Sequence, residues 1–80
     1  MPASKQVRSL SEIANEIAND WKTVNPGAAP YLSAMKRLNL ITDQFYAEDA
    51  KTQVLYFLSN ASSWRGDTAR RIKKELKAML

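Results

Sequence analysis

Ser62, Ser63, Trp64, Arg65, Gly66 and Thr68 stand together just ahead of a run with helical periodicity. A helix that begins there presents unpaired backbone N–H groups and about half a positive charge. Phosphates bind such helix starts readily. Arg65 can fork two hydrogen bonds onto a phosphate, and Thr68 can add a hydroxyl. Gly66 has no side chain, so a ligand or a second backbone can come close. Trp64 can stack on a base. Each residue also has a plainer use. Ser62 or Ser63 caps a helix, Trp64 fills a core, and Gly66 permits tight helix packing.

Two other strings overlap this stretch. Asn60-Ala61-Ser62 spells a glycosylation acceptor, and Arg65-Gly66-Asp67 spells a cell-adhesion tripeptide. Both have meaning only outside a cell. Met1 to Leu10 is polar and carries no apolar signal core, and no apolar run of about 18 residues occurs. The expectation is a cytoplasmic protein without a membrane partner, in which both strings are accidental.

Catalysis has little to work with. The chain has no histidine and no cysteine. That removes the usual general base, the thiolate nucleophile and the commonest metal ligands. Glu12 and Glu16 lie one helical turn apart, and Glu48 adjoins Asp49, but such pairs ordinarily decorate a solvated helix face. The expectation is no enzyme, no metal and no cofactor.

The charge is polarised along the chain. Of 12 basic and 8 acidic residues, 6 basic and 2 acidic fall between Arg65 and Leu80, so that segment alone carries the whole net charge of +4. A phosphate-bearing partner is favoured there, against the bland alternative of a solvated face.

The elements that position these residues read as helices. Residues 1–8 form a flexible lead, and 9–80 form a single helical domain. Ser9 with Glu12 fits a capping box ahead of Leu10, Ile13, Ala14, Ile17, Trp21 and Val24. That helix spans 9–25, ended by Pro26 and Gly27. Pro30 suits the first turn of a second helix with Tyr31, Ala34, Met35, Leu38 and Ile41 on its apolar face. Thr42-Asp43 offers a cap for a third, carrying Phe45, Ala50, Val54, Phe57, Leu58 and Ala61. Leu55 and Tyr56 widen that stripe beyond one face, as in a helix with two neighbours. The fourth helix, capped by Ser62 or Ser63, carries Trp64, Ala69, Ile72, Leu76, Met79 and Leu80. The reading is an all-α bundle of about four helices, the last two forming a hairpin. Eighty residues give a marginal core, and with no disulfide available self-association is the expected support. The basic fourth helix also admits DNA binding as the runner-up. Against it, the link before that helix, Asn60 to Ser63, lacks the glycine common in helix-turn-helix turns.

Residues 30–80 resemble the helical-hairpin domain of phage anti-CBASS and Thoeris anti-defence sponge proteins. The resemblance is carried by Tyr31 with Met35 and Leu38, by Ala47 to Lys51, by Val54 to Asn60, and by Trp64-Arg65-Gly66 with Ala69-Arg70. It implies a phage- or prophage-encoded protein acting in a bacterial host. It implies dimers or hexamers that sequester cyclic di- or trinucleotide, or cyclic ADP-ribose, immune second messengers without hydrolysing them. The family's arginine after the aromatic falls on Arg65, with Gly66 in the same pocket. Some relatives place a polar or basic residue one turn later, where this chain has Ala69 and, beside it, Thr68. Relatives also use an aromatic and a lysine nearer the N-terminus, for which Tyr31 and Lys22 are the candidates.

Overall fold

Ser9 begins the first helix as its side-chain chemistry predicts. In the computed structural model, which describes residues 8–46 and 48–80, the Ser9 hydroxyl accepts from the Glu12 backbone N–H at 3.1 Å. The Glu12 carboxylate in turn accepts from the Ser9 backbone N–H at 3.0 Å. This capping box opens α1, Leu10–Asp20. α1 stops five residues before Asn25, the expected end. Trp21 leaves the helix as its C-cap, and its indole turns into the core instead of continuing the stripe. Asn25 organises the link that follows, accepting from Gly27 N–H with its side chain and from Ala28 and Ala29 N–H with its carbonyl.

The second helix, α2, is Ala29–Met35 with Pro30 in its first turn, where the missing N–H forfeits nothing. The third begins later than the residue pattern suggests. Asp43 does not cap it. Its carboxylate reaches back to the backbone N–H groups of Asn39 and Leu40, closing the turn after α2. Two-residue strands follow, β1 Gln44–Phe45 and β2 Glu48–Asp49, paired antiparallel with Gln44 opposite Asp49. Tyr46 takes a positive φ of 58° at the tip. A helix through this region would need that φ negative, so α3 runs only over Ala50–Ser59. Gln53, the buried polar side chain of the core, is satisfied by Glu48 at 2.6 Å.

The fourth helix, α4, is Asp67–Met79, with Gly66 as N-cap. Ser62 and Ser63 lie four and three residues before Gly66 in an exposed turn and do not cap α4. α2 lies on α3, and α1 contacts both α2 and α4, so each of the two consecutive C-terminal helices has its main helix partner in the N-terminal half. The fold is small and mostly helical, with a radius of gyration of 11.7 Å. A compact chain of this length has about 11.6 Å. Leu10, Ile13, Ile17, Met35, Val54, Phe57, Ile72 and Leu76 are fully enclosed at its centre. Among the described residues, no helix is long and apolar enough to cross a membrane.

The expected flexible lead, residues 1–8, lies outside the described residues except for its last member. Arg8 is held firmly. Its guanidinium meets Glu75 of α4 at 2.7 and 3.0 Å and Glu16 of α1 at 2.6 Å. Glu16 also holds Arg71. The four charges thus alternate in a chain, Glu75–Arg8–Glu16–Arg71, that ties α1 to α4. Arg71 first, and Arg8 second, hold the Glu16 carboxyl below the usual carboxylate range. A lowered folded value means the stabilisation is complete above the unfolded pKa, near 4.3, and is lost as pH falls through the folded one. The urea midpoint is therefore expected to fall between pH 5 and pH 3, and to fall less in Glu16→Gln, as read by circular dichroism.

Candidate anion-binding face

The two flanks of α4 differ in charge. Its buried ridge is Ala69, Ile72, Leu76 and Met79. At about 100° per residue, Thr68, Arg71 and Glu75 fall on one side of that ridge. Lys73, Lys77 and Arg70 fall on the other, and Lys74 points directly away from the ridge. The first flank faces α1 and is neutralised by the chain of Arg8, Glu16, Arg71 and Glu75. On the second, Arg70 pairs with Asp67. Arg65, Lys73, Lys74 and Lys77 hold no carboxylate among the described residues. These four cations are the excess charge of the segment.

Lys73 is the best-placed of them. Its ammonium donates to the Trp64 carbonyl at 2.6 Å and lies 5.8 Å from the centroid of the Trp64 ring. It is half-buried, and that burial lowers its pKa. The neighbouring charges of Lys77 and Arg65 lower it further. Arg65 follows Trp64 directly and is exposed. Arg65 just ahead of α4 and Lys77 in its last turn thus flank Lys73 closely enough to act on its charge, and Lys73 itself is fixed in place by the backbone.

The residues expected to build the site are only partly brought together. Arg65 and Gly66 are exposed at the head of α4, as expected of ligand residues. Trp64 is not available for stacking on a base, being 2 % exposed. Its indole stacks on Trp21 at 5.8 Å and 10°, meets Phe57 edge-on, and donates to the Asp20 carboxylate at 2.8 Å. Trp21 is likewise core. Ala69 is 1 % exposed and packs inward, so it lines no surface pocket. Thr68 lies on the wrong flank. It lines a shallow cleft of about 230 Å³ with Glu16, Asn19 and Asp20, a lining that offers an anion no cation. Lys22 is exposed immediately after Trp21. It adjoins the indole stack from the α1 side, as Arg65 does from the α4 side. Tyr31 sits at the α2–α3 contact with its ring edge-on to Tyr56 at 5.3 Å.

Gly66 has a reason for being glycine other than room for a ligand. Its φ is 113° and ψ 179°, a conformation that side chains rarely tolerate. Lys73 and Lys77 are the functional candidates that residue patterns did not single out. Their signal was present in the spacing of four between two lysines on the margin of the apolar ridge, but it looks the same as a solvated helix face. Among the described residues, no group of three or more carboxylates gathers as a metal site would need.

The chain matches no family model, no curated protein and no solved structure. The resemblance to the sponge family therefore rests on the motif string alone.

Proposed function

We propose that the protein binds a phosphate-bearing small ligand on the Arg65 side of α4 and sequesters it without chemical change. The ligand class we infer is the cyclic oligonucleotide, of cyclic di- or trinucleotide or cyclic ADP-ribose type. The observation that carries the reading is the placement of Lys73 and Lys77 on one flank of α4, with Arg65 just ahead of the helix and close enough to act on Lys73, opposite a flank that neutralises itself. A cyclic oligonucleotide is a compact polyanion with flat bases. Three cations in one place match its charge, and charge-assisted hydrogen bonds supply the affinity. Sequestration asks for no acid, base or nucleophile, in keeping with a chain that has neither histidine nor cysteine.

The same reading includes self-association. Leu55 is 51 % exposed and Tyr56 45 % on α3, adjoining Tyr31 on α2. A second subunit against that face would cover apolar area and multiply the number of ligand sites by symmetry. Tyr31 would then act at a subunit contact, and Lys22 and Arg65 would flank the shared indole stack.

Titration calorimetry against a panel of cyclic di- and trinucleotides and cyclic ADP-ribose tests the reading, with light scattering to give the assembly state. Binding at micromolar Kd or tighter is expected, with the ligand recovered unchanged after denaturation. Arg65→Ala should weaken it about 10- to 100-fold, the equivalent of one charged hydrogen-bonding group, with no loss of fold. A panel without binding would end the proposal. Tight duplex DNA binding that falls steeply with salt would replace it with the DNA-binding alternative.

A further inference from the structure

We propose that Arg65, Lys73 and Lys77 form a seat for an anion bearing at least two negative charges, and that the ligand-free fold is less stable for keeping them together. The inference deepens the proposed function, resting on its placement of the ligand and adding the ligand's charge and a linkage to folding.

The geometry brings like charges together and, among the described residues, offers them no carboxylate. Lys73 cannot swing away freely, because its ammonium is hydrogen-bonded to the Trp64 carbonyl at 2.6 Å and lies against the Trp64 ring. Lys77 stands one turn further along α4, about 6 Å up the axis. Arg65 departs from the residue next to the one whose carbonyl holds Lys73. The carboxylates of α4 are engaged elsewhere, Asp67 with Arg70 and Glu75 with Arg8. Lys73 and Lys77 are thus an i,i+4 pair of like charge, which destabilises a helix, and Arg65 adds a third. Burial raises the cost of charging Lys73, and both neighbours raise it again. The Trp64 carbonyl and ring hold the Lys73 ammonium but carry no charge to offset the cluster, and such a local conflict marks a functional position.

The missing contact is an anion. A singly charged ion offsets one of three cations and leaves the other two in repulsion. Two linked phosphates, as in a pyrophosphate or a ring of two phosphodiesters, offset most of the cluster in one binding event. Burial of Lys73 favours an occupant that keeps water off the ammonium while neutralising it.

Thermal unfolding of the full chain at low ionic strength tests this, with inorganic pyrophosphate as the probe and sodium chloride at matched ionic strength as the control. Arg65→Gln, at an exposed position ahead of the positive end of α4, should raise Tm of the ligand-free protein by about 2 °C, since it removes one cation from the cluster and from that helix end. Pyrophosphate at ten times its Kd should raise Tm of the wild type by about 8 °C. It should do little for Lys77→Gln or Arg65→Gln. A lower Tm in ligand-free Arg65→Gln, or equal protection of wild type and variants, overturns the inference. Pyrophosphate protection without binding of any cyclic nucleotide keeps the seat and removes the sequestration reading. Cyclic nucleotide binding that survives Lys77→Gln undiminished removes the seat and keeps the sequestration.

Discussion

Trp64→Ala is expected to destabilise the protein by about 3–5 kcal/mol in urea denaturation, the usual cost of emptying a buried aromatic site. An 80-residue domain has about 4–12 kcal/mol of stability in total, so the variant sits near the edge of folding. Trp64 joins residues of α3, α4 and the end of α1. Its ring stacks on Trp21 at the end of α1, meets Phe57 of α3 edge-on at 6.3 Å, and supports Lys73 of α4. Its N–H ties back to Asp20. Removing the ring therefore opens a void where α1, α3 and α4 converge, and Trp21 loses its stacking partner. Trp64→Phe separates the contributions. It keeps most of the apolar contact and drops the hydrogen bond to an exposed carboxylate, so about 1–2 kcal/mol is expected. The circular dichroism couplet of the two stacked indoles should vanish in both. Were Trp64 a stacking platform for a base, Trp64→Ala would leave the urea midpoint unchanged.

How much of this was legible beforehand differs from residue to residue for physical reasons. The Ser9–Glu12 capping box is local, four residues long and chemically specific, so it could be read directly. The apolar ridge Ala69, Ile72, Leu76, Met79 was legible because one helix face has one period. Pro30 in the first turn of α2 was legible for the same kind of reason, since proline has few places to go. The start of α3 was not. Asp43 can cap a helix or close a turn, and only the backbone N–H groups of Asn39 and Leu40, brought round by the end of α2, decide for the turn. Tyr46 at positive φ gives no warning in its residue type. The fate of Trp21 and Trp64 depended on a contact between residues 43 positions apart, which no local pattern encodes.

The candidate site shows the same division. Arg65 at the head of α4 was legible from its neighbours in the chain. Thr68 was misplaced because sequence proximity says nothing about which flank of a helix meets α1. Lys73 was passed over because its distinction is the Trp64 carbonyl nine residues back. The pairing of Arg71 with Glu16 and of Glu75 with Arg8 likewise required α1 and α4 to be in place before the remaining cations could be seen as a cluster.

Gly66→Ala is expected to cost about 1–3 kcal/mol of stability, with the loss arising in the backbone alone. A Cβ added at Gly66 meets no atom within 4 Å, so no steric contact explains a penalty. The penalty comes from φ 113° with ψ 179°, a region nearly closed to L-residues. Gly66 turns the chain from the Trp64 anchor into α4 and supplies the carbonyl that accepts the first helical bond, from Arg70 N–H at 2.9 Å. Forcing φ negative would redirect α4 relative to the indole stack. A D-alanine at the same position, introduced by peptide ligation, relieves that strain because its allowed region is the mirror image of the L-residue's β region. The D-alanine protein should recover the wild-type urea midpoint while still carrying the methyl group. If glycine is there to admit a ligand, the result inverts: L-alanine keeps the stability, and both substitutions lose ligand binding. Wild-type stability and undiminished binding in the D-alanine protein, with an unstable L-alanine variant, would assign Gly66 to the turn and leave Arg65, Lys73 and Lys77 as the residues that meet the anion.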